Sequence, residues 1–108
     1  MADEEEIESE PTREEIDRME GPVLLEFGAR WCGHCLALAP KLSRLLGGYP
    51  GVRHIKVEDG PGKPLGRSFR VKLWPTLVFM KDGQVVAQES RPELAEVRKG
   101  LVEIAGEA

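Results

Sequence analysis

The chain holds two cysteines, Cys32 and Cys35, within Trp31-Cys32-Gly33-His34-Cys35. C-x-x-C is the shortest spacing at which one helical turn presents two thiols that can join to each other. The first can attack a disulfide and the second can resolve the product. No third cysteine exists to complete a Cys₄ metal site or a disulfide framework. Cys32 and Cys35 with His34 or His54 remain a candidate zinc set on residue types alone.

Exchange chemistry needs the two thiols to differ. Cys32 is expected where a strand ends and a helix begins, and there backbone N–H groups and the positive end of the helix dipole favour a thiolate. Cys35, one turn in, is expected to be more buried and more protonated. Gly33-His34 sets the redox poise. A positive charge on His34 stabilises the reduced form and raises the reduction potential relative to a proline in that place. The plainer alternative is an exposed turn histidine with no electrostatic role. Glu26 interrupts the apolar run Val23-Leu24-Leu25-Glu26-Phe27. Either it faces solvent at an edge, or it is buried and serves as a general base for the Cys35 proton. Trp31 either shields the thiols with an apolar surface or packs in the core.

Several elements must position these groups. Thr12-Arg13-Glu14-Glu15 fits a capping box, so a short helix should run to about Met19 and stop at Gly21-Pro22. Val23 to Phe27 has the pattern of a central strand. Leu36 to Leu46 is helical, with Leu38, Leu42, Leu45 and Leu46 on one side and Pro40 interrupting. Val52 to Glu58 reads as a strand and Pro64 to Phe69 as a short helix. Thr76 to Met80 and Val85 to Gln88 form a hairpin around Asp82-Gly83. Ser90-Arg91-Pro92-Glu93 reads as the capping box of a last helix whose apolar face is Leu94, Val97, Leu101 and Ile104. Residues 1–10 are a flexible segment or a frayed edge strand. The order (β)αβαβαββα predicts an α/β domain: a central mixed sheet of four to five strands with helices on both faces.

A length of 108 residues, 41% hydrophobic and 31% charged, suits one domain with one modest core. We therefore divide the chain into an acidic flexible segment, 1–11, and a single domain, 12–108. Residues 1–20 carry a net charge of −8 and the remainder a net of +4. The Lys and Arg of that remainder are scattered and not interleaved with aromatics, which speaks against nucleic acid. No apolar run approaches the roughly 20 residues of a membrane span, and no signal peptide is visible. The expectation is a cytoplasmic monomer without membrane or nucleic-acid partners.

Together these residues resemble the thioredoxin family. The likeness runs from Val23 through Cys35 and on through Leu38-Ala39-Pro40, Lys56, Val71 to Phe79 and Lys81-Asp82-Gly83. The resemblance implies a thioredoxin fold and a thiol–disulfide oxidoreductase. Cys32 would be the nucleophile and Cys35 the resolving thiol. Glu26 would carry the proton, and Lys56 would be its charge partner from the neighbouring strand. Gly33 and His34 would tune the couple, in a Cys-Gly-His-Cys sequence similar to that of disulfide isomerases. Pro75 would be a cis-proline beside the dithiol, crowding out metal ligands. Trp31, Trp74, Pro75 and Thr76 would meet the substrate, a protein disulfide. No cofactor is implied beyond the Cys32–Cys35 disulfide itself, and the redox partner would be of the thioredoxin-reductase kind or another redox protein. Leu36, Gly28 and Leu73-Trp74 depart from the family pattern, as does the lack of a glycine near Glu89-Ser90. The rival reading is a non-catalytic thioredoxin-like module that docks a partner or acts as a chaperone.

Overall fold

The computed structural model describes residues 10–107. Four strands form one mixed sheet: β1 (Pro22–Gly28), β2 (Arg53–Glu58), β3 (Thr76–Lys81) and β4 (Gln84–Ser90), in the order β2-β1-β3-β4. β2 runs parallel to β1, while β3 is antiparallel to β1 and to β4. The helices are α1 (Arg13–Asp17), α2 (Gly33–Leu46), α3 (Pro64–Ser68) and α4 (Leu94–Ala105).

β1 and β3 are central and buried on both faces, which is why they read as nearly continuous apolar runs. Side chains alternate between the faces. Val23, Leu25, Phe27, Val57, Val78 and Met80 pack under Ile16 of α1 and Leu65 of α3. Leu24, Leu77 and Phe79 pack under Leu38 and Leu42 of α2 and Val97, Leu101 and Ile104 of α4. The result is a sheet with helices on both faces, as the order of elements predicts. Gly100 lets α4 close on the sheet, because a Cβ there would lie 2.6 Å from the fully buried Phe79 ring.

Local chemistry places most boundaries. The Thr12 hydroxyl accepts from the Glu15 N–H, and the Glu15 carboxylate accepts from the Thr12 N–H, a complete capping box. Asp82 and Gly83, with φ of 51° and 79°, make the tight β3–β4 turn. α2 continues through Pro40, and the acceptor that Pro40 leaves unused is the Leu36 carbonyl, on an exposed turn.

One boundary differs from expectation. The capping box of α4 is Glu93 with Glu96, not Ser90 with Glu93. Ser90 stays in β4 opposite Thr76, and the two hydroxyls lie 3.0 Å apart. Three residues thus separate the strand from the helix, and Arg91 occupies the first of them. The proposed strand in residues 1–10, and with it most of the 1–11 segment, lies outside the described residues.

Candidate active site

β1 ends at Gly28, and α2 begins at Gly33 with Cys32 as its N-cap. The Cys32 sulfur accepts the Cys35 N–H at 3.3 Å, as a capping oxygen would. Both cysteines are free thiols. Cys35 sits against the end of β1: a Cβ on Gly28 would lie 2.7 Å from its sulfur. Gly28 and Glu26 share one face of β1, so the resolving thiol and the carboxylate lie on the same side of the sheet.

The thiols differ in charge but hardly in exposure. Cys32 is 6% exposed and Cys35 is 9%, so both are screened from solvent, while Cys35 has the denser protein around it, as expected of the inner thiol. Trp74 packs against the cluster that Ala29, Cys32 and Cys35 form, with its carbonyl 3.8 Å from the Cys32 sulfur. Burial works against a Cys32 thiolate, yet its pKa falls below the ordinary 9.0. Hydrogen bonds from the Cys35 thiol and from the N–H groups of Cys35 and His34 outweigh burial, and the Arg91 charge adds to them. Cys35 is pushed up to about 11, first by burial, then by its hydrogen bond with Cys32 and by the charges of Cys32 and Glu26.

This contrast predicts selective labelling. A gap of at least two pKa units gives Cys32 at least ~100 times the thiolate fraction of Cys35 at pH 7. The more basic thiolate regains no more than about half of that gap, on a logarithmic scale, through nucleophilicity. Iodoacetamide should therefore modify Cys32 at least about tenfold faster, with a labelling midpoint below pH 9.0. Peptide mapping by mass spectrometry reads the ratio, and equal labelling would contradict the assigned asymmetry.

Glu26 lies in the central strand and is 7% exposed, which excludes the exposed-edge reading. Its partner is not Lys56. Lys56 stands opposite Glu26 in the β1–β2 register, but its side chain is exposed and joins none of the ion pairs among the described residues. The carboxylate instead meets His54 Nε2 at 2.7 Å. His54 and Lys56 share a face of β2, and the less exposed His54 side chain reaches the carboxylate. This engages His54 with the Glu26 carboxylate. Among the described residues no group of three or more His, Cys, Asp or Glu is arranged to hold a metal ion.

The other wall is the loop before β3. The Trp74–Pro75 peptide bond is cis, and Pro75 is buried. The Trp74 indole N–H donates to Asp59 Oδ2 at 2.9 Å, and its ring meets Trp31 edge-on, with centroids 5.3 Å apart. Trp31 is 75% exposed, so it belongs to the rim of the cleft and not to the core. Leu73 adds exposed apolar surface nearby. Gly33 and His34 are exposed in the first turn of α2.

Thr76 does not reach the cleft surface, contrary to its expected contact with substrate. It is fully buried, and its hydroxyl is engaged by the Leu73 carbonyl and the Ser90 hydroxyl. Its part is to hold the loop that carries Pro75. Asp59, His54 and Arg91 are site residues that the motif did not point to. Asp59 read as part of a turn, and Arg91 as part of a helix cap. His54 alone left a signal: it lies two residues from Lys56 on the same strand face.

The comparisons agree with this geometry. The thioredoxin family model matches residues 4–102. The structure of thioredoxin 2 from Pseudomonas aeruginosa in its reduced form superposes with a TM-score of 0.79 at 52% identity, covering 91% of this chain and 92% of that one. A thioredoxin of Aspergillus fumigatus is 41% identical over 64 residues, 59% of each chain. Protein disulfide-isomerase A2 of Pongo abelii is 45% identical over 65 residues, 56% of this chain and 12% of that protein. The chain thus spans less than two thirds of the length of either of these curated relatives. Among the described residues no helix is long and apolar enough to cross a membrane. A C-x-x-C helix start, a sheet of order β2-β1-β3-β4 and a family match over nearly the whole sequence together show that the chain belongs to the thioredoxin family.

Proposed function

We propose that the chain is a thiol–disulfide oxidoreductase acting on protein disulfides, with an active site of the disulfide-isomerase type. The observation that carries the reading is a pair of adjacent free thiols at a helix start, with the Cys32 sulfur accepting the Cys35 N–H at 3.3 Å beside the Trp74 carbonyl; the lowered pKa of Cys32 and the raised pKa of Cys35 agree with it. The Cys32 thiolate attacks one sulfur of a substrate disulfide. A Cys32–substrate bond forms, the substrate bond breaks, and the departing thiolate takes a proton from water. Cys35 then passes its proton to Glu26 and attacks the Cys32 sulfur. The Cys32–Cys35 disulfide forms, and the second substrate thiolate leaves and is protonated. Two electrons have moved from the dithiol to the substrate. An external dithiol, or a partner of the thioredoxin-reductase kind, restores the reduced form, and no other cofactor takes part.

The finer assignment rests on His34 in Cys-Gly-His-Cys, with support from the similarity to protein disulfide-isomerase A2. A positive charge, where His34 carries one, lies one residue before Cys35 and favours the reduced, thiolate-bearing state, which makes the couple more oxidising. Trp31, Trp74 and Pro75 form the wall against which a substrate lies.

Equilibration against glutathione buffers of graded ratio tests both parts. The expected result is one reversible two-electron transition with a midpoint above about −270 mV, toward about −180 mV. A pair that does not oxidise reversibly would end the exchange reading. A midpoint at or below about −270 mV would remove the role of His34 and leave exchange standing.

A further inference from the structure

Arg91 has a geometry that neither the fold nor the exchange chemistry requires. Its φ is +48°, a left-handed conformation in which glycine is at ease and a residue with a side chain is not. Its N–H donates to the Pro75 carbonyl at 2.7 Å, which fixes its backbone beside the cis peptide. Glycine would make that backbone bond with less strain, so the side chain is present in spite of the backbone. The side chain turns back over the cleft, and its Nε donates to the Trp74 carbonyl at 2.9 Å. The same carbonyl lies 3.8 Å from the Cys32 sulfur. Among the described residues no ion pair includes Arg91. A guanidinium with no carboxylate partner among the described residues therefore stands one carbonyl group away from the reacting sulfur.

Two consequences follow from the chemistry of that placement. The Trp74 oxygen would repel a thiolate, and the bond from Arg91 draws off that lone pair. The remaining guanidinium N–H donors form a planar fork that suits a carboxylate arriving with the substrate. We propose that Arg91 is a specificity-determining residue of the cleft, taking a carboxylate next to the reacting cysteine so that acidic disulfide substrates are exchanged faster than basic ones. The proposal rests on the exchange reading above. The favourable effect of the Arg91 charge on the Cys32 thiolate agrees with it.

The test uses three looped peptides, identical except for Asp, Asn or Lys beside the N-terminal cysteine of an internal disulfide. Their reduction by the full chain with dithiothreitol is followed by chromatography and corrected for the uncatalysed rate. The wild type should favour the Asp peptide over the Lys peptide by about five- to tenfold in kcat/KM at low salt, the scale of one part-exposed charge-assisted contact. The preference should shrink with added salt. In Arg91→Gln the ratio should fall to about one, and Arg91→Lys should keep part of it. A ratio within one variant cancels any loss of folded protein. A wild-type ratio near one, or an unchanged ratio in Arg91→Gln, would overturn the assignment. Turnover of the Asn peptide separates the two readings: if none of the three peptides is reduced, disulfide exchange fails and the role of Arg91 fails with it.

Discussion

Cys32→Ser should bring the reduction of insulin by dithiothreitol down to the uncatalysed rate, while pre-reduced Cys35→Ser, mixed with insulin without an added thiol, should stall after one event as a covalent adduct. The two losses differ because the two sulfurs do different things. Cys32 holds the depressed pKa, and its sulfur faces the Trp74 wall. A hydroxyl in its place supplies no thiolate and can form no S–O analogue of the mixed disulfide. Cys35 lies over Gly28 and keeps its proton to about pH 11, so it does not start the reaction. Without it the Cys32–substrate bond forms and waits for an outside thiol. Non-reducing gels should show the adduct with Cys35→Ser and none with Cys32→Ser. If Cys32→Ser reduced insulin as fast as the wild type, the chain would be a docking or chaperone module whose dithiol is incidental.

The parts of the site that were legible in the sequence are those held by local rules. Cys32 and Cys35 are bound to one helical turn by their spacing, and the run from Val23 to Phe27 marks a strand with both faces covered. Asp82-Gly83 sets its turn through φ alone. The parts that were not legible depend on contacts between distant segments. The register of β1 and β2 puts Lys56 opposite Glu26, and pairing by register alone selects the lysine. Which side chain then bends to the carboxylate depends on burial. His54, 26% exposed, takes the place and the exposed lysine does not.

The same division explains Ser90 and Cys32. Ser90-x-x-Glu93 has the letters of a capping box, but Ser90 meets the Thr76 hydroxyl across the sheet and remains in β4. A tertiary partner there outweighs the local signal. That shift puts Arg91 in the gap beside Pro75, a placement that no local pattern contains. The screening of Cys32 likewise comes from Trp74, 42 residues away, held by Asp59. The chemistry of the site was local, whereas its access was set by the fold.

Glu26→Gln should slow the resolving step by about a hundredfold at pH 7, the low end of what a positioned general base supplies. The substitution nearly keeps the side-chain volume and retains an oxygen for His54 to approach, so the strand should keep its packing. Two effects oppose each other. The Glu26 charge is among the causes that hold Cys35 at about 11, so its removal lets Cys35 ionise more easily and favours faster resolution. Burial is the largest of those causes and remains after the substitution, so the gain is small. Loss of the proton acceptor is the larger effect, because a thiol near 11 is about 0.01% ionised at pH 7. The sign of the change therefore tests the role directly. The mixed disulfide should outlive that of the wild type in rapid acid-quench experiments. Its decay should accelerate about tenfold per pH unit as hydroxide replaces the missing base, up to the Cys35 pKa. The wild type, with its own acceptor, should show a shallower dependence. His54→Phe provides the graded comparison: it removes the 2.7 Å bond that orients the carboxylate but leaves the carboxylate present, so resolution should slow less than in Glu26→Gln. Resolution in Glu26→Gln as fast as in the wild type, or faster, would reduce Glu26 to an electrostatic burden on Cys35 and transfer the proton to water.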